Sequence, residues 1–136
     1  MRALVVGAGI FGVTAARELR ARGAEVVLLE RDAAVAKGLE RSRQRLGGAA
    51  MRIECADALA WMAAPPVRHF DLVLLDPPFG SGLLPRACAA AAPLLAPRGW
   101  LYVESGELLS AMPVGMSLHR SLSAGAVQAM LYRNID

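Results

Sequence analysis

Lysine is nearly absent from this 136-residue chain: Lys37 is the single lysine among its 15 Lys and Arg residues. Cysteine and histidine are just as scarce, at two each. Cys55 and Cys88 lack the spacing of a metal or redox motif and read as buried, reduced thiols. His69 and His119 stand far from each other and from both cysteines, so no metal site is expected. No apolar run approaches the roughly 20 residues of a membrane-spanning helix, and no membrane partner is expected. Arg2 is followed directly by a strand-like run ending in glycines, so a signal peptide is not expected and a cytoplasmic location is. Charged residues make up only 20% of the chain and hydrophobic residues 55%, which excludes disorder. The length suits one domain over residues 1–136, and a monomer is the default expectation.

What charge there is comes almost entirely from arginine. The net charge is +3 and the pI about 9.4. Arg17, Arg20 and Arg22 form one cluster, and Arg41, Arg43 and Arg45 a second. Guanidinium forks suit phosphate, so the balance permits a polyanionic partner. Two solvated helix faces would give the same pattern.

Short β runs alternate with helical runs along the chain. Ala3–Val6 reads as a first strand, with a helix from about Ile10 to Arg22. Glu25–Glu30 is a second strand, after which Asp32 N-caps a helix to about Leu46. Met51–Glu54 is a third strand, with a short helix from about Asp57 to Met62. Asp71–Asp76 is a fourth, and an alanine-rich helix from Leu83 to Leu95 is stopped by Pro97. Leu101–Glu104 is a fifth strand. The ending differs: Met116–Leu122 and Ala126–Arg133 are strand-like runs joined by Ser123-Ala124-Gly125, a hairpin. The pattern predicts an α/β fold with a doubly wound, mostly parallel sheet and an antiparallel strand at or near one edge. Trp61 and Trp100 read as packing residues, and His119 as a surface or half-buried one.

Two segments carry chemistry. Gly7-Ala8-Gly9-Ile10-Phe11-Gly12 lies between the first strand and its helix. Glycines there let the backbone turn tightly and approach a ligand, while the helix N-terminus presents amides and a positive dipole end. Glu30 closes the second strand, where a carboxylate accepts hydrogen bonds from a ribose diol, and Arg31 follows it. Together they predict an adenosine-containing ligand. From Gly7 to about Asp32 the chain looks like the opening unit of flavin- and nicotinamide-binding oxidoreductases, which leaves FAD or NAD as an alternative ligand.

The second segment is Asp76-Pro77-Pro78-Phe79, directly after Phe70-Asp71-Leu72-Val73-Leu74-Leu75. The prolines fix their own φ and donate no amide hydrogen, so the turn's carbonyls stay open to accept. A carboxylate, a carbonyl and an aromatic face suit a planar group with an exocyclic amine, which donates two hydrogen bonds while its ring stacks on Phe79. A turn that merely ends a buried strand is the bland alternative.

From about Arg52 to Arg133 the chain resembles the bacterial RsmD family, which methylates a guanine N2 of small-subunit ribosomal RNA with S-adenosylmethionine. The resemblance rests on Ala56-Asp57-Ala58, on the segment Phe70–Phe79, on Leu101-Tyr102-Val103-Glu104-Ser105, and on a tail of Ser117-Leu118-His119-Arg120, Ala124-Gly125 and Leu131-Tyr132-Arg133. It implies an S-adenosylmethionine-dependent methyltransferase whose partner is ribosomal RNA or the small subunit. Gly7, Ala8, Gly9 and Ile10 would hold the methionine end of that cofactor and Glu30, with Arg31, its ribose. Asp57 would face the adenine amine beside Ala58, although it could also simply N-cap its helix. Asp76 and the Pro77 carbonyl would orient the target amine, Pro78 would complete the turn, and Phe79 would stack on the base. Glu104 and Ser105 are expected only to shape the end of strand five. The family carries an RNA-engaging segment ahead of the glycine loop, whereas here Met1 sits almost on the first strand. The family's loop also follows an acid that Arg2-Ala3-Leu4-Val5-Val6 lacks.

Overall fold

A computed structural model describes residues 1–7, 9–45, 50–64, 69–76, 82–106 and 113–135. Three βα units open the chain: β1 (Arg2–Val6) and α1 (Ile10–Ala21), β2 (Glu25–Glu30) and α2 (Ala33–Arg45), β3 (Met51–Cys55) and α3 (Ala58–Ala63). Then come β4 (Phe70–Leu75), α4 (Leu84–Ala91), β5 (Leu95–Ser105), β6 (Met116–Ala124) and β7 (Val127–Asn134). The seven strands form one sheet in the order β3-β2-β1-β4-β5-β7-β6. The first five are parallel, and β7 pairs antiparallel with both β5 and β6. The doubly wound sheet and its closing hairpin thus follow the expected pattern.

Alternation along the strands decides which face each side chain joins. Val26 and Leu28 of β2 and Leu74 of β4 face α1 and α2, packing with Ala16, Leu19 and Leu39. Val27, Leu29, Val73, Leu75, Leu101 and Val103 face α3 and α4, packing with Met62, Ala87, Cys88 and Ala91. Each such side chain, once fully buried, contributes about 1.5–3 kcal/mol. Helices on both faces explain why the central strands read as unbroken apolar runs.

The element boundaries follow local chemistry. Asp32 caps α2 as expected, its Oδ1 accepting from the amides of Ala34 (2.9 Å) and Val35 (3.1 Å). The helix after Leu83 differs from expectation. It ends at Ala91, passes through a 3-10 turn at Ala92–Leu94, and yields to β5 at Leu95, well before Leu101. Pro93 is the reason: it has no N–H to continue the ladder, so the stop comes four residues ahead of Pro97. Pro97 instead lies inside β5, in an irregular stretch where the register with β4 shifts between Phe70 and Leu72 and Arg98 adopts φ 64°.

The thiol expectation needs one correction. Cys88 is buried and its pKa is pushed up to about 11 by desolvation. Cys55 is exposed, because it ends the sheet-edge strand β3, with its Sγ 3.6 Å from the Arg31 carbonyl oxygen. Trp61 is half-buried and donates its indole N–H to Glu54. Trp100 lies between the Arg133 guanidinium (4.1 Å) and the ring of His119 (4.9 Å).

Candidate active site

β1 and β4 are neighbours, but the chain leaves β1 toward β2 and leaves β4 toward β5. Their following loops therefore part, and open α/β sheets bind ligands in the crevice at such a switch point. Val6 pairs with Leu75, so Gly7 and Asp76 leave the sheet side by side. A Cβ at Gly7 would sit 3.3 Å from the Asp76 carbonyl oxygen, and Gly7 holds φ +101°, a conformation that favours glycine. Its amide donates to the Leu29 carbonyl (3.0 Å), tying the loop to β2.

Gly12 is the tightest position in the loop. A Cβ there would lie 1.8 Å from the Gly7 carbonyl oxygen, so only glycine lets α1 start this close to the strand end. Gly9 is the N-cap of α1 and makes no side-chain cap, so the positive end of the helix opens beside the crevice.

The crevice is a cleft of about 770 Å³ lined by Gly7, Gly9, Glu30, Asp57, Asp76 and Arg86, among others. That volume lies in the range of small-molecule and cofactor sites. Glu30 stands at the end of β2 with its carboxylate Oε2 accepting from the Asp32 amide at 2.6 Å, which holds the group at the rim. Arg31 and Ala58 also line the cleft. Asp57 lines it too and caps α3, its Oδ1 accepting from the Ala60 amide at 3.2 Å. The capping alternative is thus true of one oxygen without removing the residue from the cleft.

Asp76 is half-buried, and desolvation raises its carboxyl pKa. Glu104, at the end of β5, is raised by desolvation and then by the charge of Asp76. Tyr102 is raised by desolvation, then by Glu104 and Asp76. The charge of Asp76 at the cleft thus reaches Glu104 and Tyr102 on the adjacent strand.

The structure brings together Gly7, Gly9, Glu30, Arg31, Asp57, Ala58 and Asp76. Ala8, Pro77, Pro78 and Phe79 lie outside the described residues, as does the side chain of Ile10. Sequence reasoning missed Arg86 and Ala87 of α4, which line the cleft. Only the crossover that folds α4 back over the sheet brings them there, and no local motif marks them. The arginine clusters lie elsewhere. Arg20 and Arg22 sit at the C-terminal end of α1, with Arg20 donating to the Ala24 carbonyl (3.1 Å) and Arg22 pairing with Glu18 (3.0 Å). Arg43 pairs with Glu40 near the end of α2. In a parallel α/β unit those ends lie opposite the strands' carboxyl ends, so these guanidiniums are remote from the cleft. No described helix is long and apolar enough to cross a membrane.

The family described as Conserved hypothetical protein 95 matches residues 4–133. The chain belongs to this RsmD-like family. The match reaches back through the first βαβ unit, beyond the segment from Arg52 on which the resemblance rested. Solved structures agree. The provisionally assigned methylase HI0767 of Haemophilus influenzae superposes with TM-score 0.88 at 27% identity, over 99% of this chain and 87% of its own. The provisionally assigned methyltransferase yhhF of Escherichia coli does so with TM-score 0.85 at 30% identity, over 98% and 75%. The N-methyltransferase NodS of Bradyrhizobium japonicum, in complex with S-adenosyl-L-homocysteine, shares the fold at 16% identity and TM-score 0.67, over 99% and 78%. No curated protein sequence matches significantly. The fold is that of S-adenosylmethionine-dependent methyltransferases, and family and fold together support methyltransferase chemistry.

Proposed function

We propose that this chain transfers a methyl group from S-adenosylmethionine to the exocyclic amine of a nucleobase, most specifically guanine N2 of small-subunit ribosomal RNA. The observation that carries the reading is the adjacency of Asp76 to the glycine loop at the end of one cleft. A nucleoside-sized ligand held by the loop and Glu30 would have its reactive end beside an acceptor suited to an amine.

The residues fit the cofactor. The tight Gly7 turn and the Gly9 helix start, held close to β1 by the missing Cβ at Gly12, would admit a carboxylate and backbone contacts to the methionine end. Glu30 would accept from the ribose hydroxyls, and the second carboxylate oxygen of Asp57 from the adenine amine. When bound, S-adenosylmethionine supplies an electrophilic methyl group on a positively charged sulfur.

The chain's own residues would hold the target. Asp76 accepts an N–H of the amine, which turns the nitrogen lone pair toward the methyl carbon and raises its electron density. The new N–C bond forms as the C–S bond breaks, and the proton lost by the nitrogen passes to solvent or through Asp76. Alignment and exclusion of water supply most of the acceleration, which for well-oriented groups reaches about 7–11 kcal/mol.

The sheet gives no support to the flavin or nicotinamide alternative. Its order, with antiparallel β7 between β5 and β6, departs from the 3-2-1-4-5-6 order of dinucleotide-binding sheets. Calorimetric titration with S-adenosylhomocysteine, FAD and NAD tests the cofactor: micromolar binding of the first alone is expected, and binding of a dinucleotide alone overturns the reading. Labelled methyl transfer to small ribosomal subunits lacking the modification tests the substrate.

A further inference from the structure

Resting on that reading, we propose that Glu104 is a second acceptor in the amine slot and that it, with Asp76, selects guanine over adenine and cytosine. The placement follows from the sheet. Leu75 and Val103 are register partners on parallel β4 and β5 and both face α4. Continued one residue past that last pair, the register sets Asp76, just beyond the end of β4, beside Glu104 and toward the face carrying Leu74 and Tyr102, and the charges of both acids are felt at Tyr102. Neighbouring strands lie about 4.8 Å apart, so the two carboxylates leave the sheet within one base-edge width of each other.

Among the described residues, the neighbours of Glu104 across β5 are small or apolar. Across the other edge of β5, Glu104 pairs with Ala129 of β7, whose methyl fills little space, and Leu122 of β6 lies beyond it. Two residues before Glu104, Tyr102 stacks on Phe11 of α1, with ring centroids 5.6 Å apart, and closes the slot from below. No basic side chain is paired with Glu104 among the described salt bridges. Desolvation and then the charge of Asp76 raise the pKa of Glu104, and a donor-rich ligand would relieve both.

Base chemistry then decides the identity. Ionised carboxylates only accept hydrogen bonds. Guanine offers two adjacent donors on one edge, the N1–H and the N2 amine. Adenine and cytosine place an acceptor ring nitrogen beside their amine, which would face the Glu104 carboxylate with no hydrogen between them. Asp76 takes the amine to be methylated, and Glu104 takes the neighbouring N1–H. The same pair thus attracts one base and repels the others.

The test compares two matched RNAs, one with guanine and one with 2-aminopurine at the target position. The analogue keeps the amine but presents an acceptor at N1. Wild type is expected to prefer guanine in kcat/KM by about 100-fold or more. Glu104→Gln, whose amide can donate, is expected to lose guanine activity and narrow that ratio to about tenfold or less, with S-adenosylhomocysteine affinity unchanged. Glu104→Asp is expected to slow transfer while keeping the ratio, and it serves if the Gln variant fails to bind S-adenosylhomocysteine. A wild type that does not discriminate, or a Gln variant with the parental ratio, overturns the role of Glu104 alone. Absence of transfer to either RNA and to small subunits, by a chain that binds S-adenosylhomocysteine, overturns the guanine reading and Glu104 with it.

Discussion

A side chain at Gly12 and the backbone of Gly7 cannot coexist, since a Cβ at residue 12 would come within 1.8 Å of the Gly7 carbonyl oxygen. Five residues apart in sequence, they set how closely α1 approaches the end of β1. Gly12→Ala must therefore push the helix or the loop away. The cost is expected at about 1–3 kcal/mol, the range for overpacking a tight site. A lower melting temperature and weakened S-adenosylhomocysteine binding measured by calorimetry would check it. Gly9→Ala is the control: a Cβ there meets nothing within 4 Å, so it should leave stability nearly unchanged.

Asp76 should show opposed effects on activity and stability. Asp76→Ala removes the amine acceptor and is expected to lower methyl transfer on the order of 100-fold or more while S-adenosylhomocysteine still binds. Transfer assays beside calorimetry separate the two.

The sign of the pH effect on stability follows from burial. Desolvation raises the Asp76 carboxyl pKa above its unfolded value, so the folded chain holds that proton to higher pH. The contribution to stability is fully present below the ordinary carboxylate range and is lost as pH rises through the raised pKa. Asp76→Asn, uncharged at every pH, is expected to melt higher than wild type at neutral pH. The gap should close as pH falls below the unfolded carboxylate pKa. Thermal melts across that range give the comparison, and a constant gap would mean that desolvation of the charge is not its source.

Asp57 serves α3 and the cleft with different atoms. Asp57→Ala is expected to lose about 1 kcal/mol from the missing cap and to weaken S-adenosylhomocysteine binding as well. Asp57→Ser keeps an acceptor for the Ala60 amide, so stability should recover while ligand affinity does not. Denaturant melts and calorimetry on both variants distinguish the two functions.

The two cysteines should differ sharply toward a thiol reagent. Cys55 is exposed, whereas Cys88 is buried with its thiol pKa at about 11, so little thiolate exists there at neutral pH. One equivalent should react in the native chain and two in denaturant, and mass spectrometry of the labelled peptide should find Cys55. Fast native labelling of Cys88 would contradict the packing of α4.

Much of this molecule is legible before folding. The apolar runs before Gly7, Glu30 and Asp76 each become a parallel strand, because unbroken β-branched and leucine-rich runs suit burial on both faces. The glycine loop reads correctly because its requirements are local: a positive φ at Gly7 and no side chain at Gly12. Asp32 as a helix cap is equally local. Where local rules misled, a neighbouring rule was stronger. Pro93 ends α4 before Pro97 can, and Cys55 falls on an edge strand whose last side chain has nothing to cover it.

The sequence by itself determined the alternation of strands and helices, the phosphate-type loop, the acid that closes the second strand and the acid that follows the fourth, since propensity, capping and backbone geometry act over a few residues. Only the tertiary structure decided what those acids face. Arg86 reaches the cleft because a crossover returns α4 over the sheet, and Asp76 and Glu104 stand at the ends of neighbouring strands because Leu75 of β4 pairs with Val103 of β5, although 28 residues separate the two acids in the chain. Such adjacency comes from long-range strand pairing and burial, which no local pattern of residues encodes.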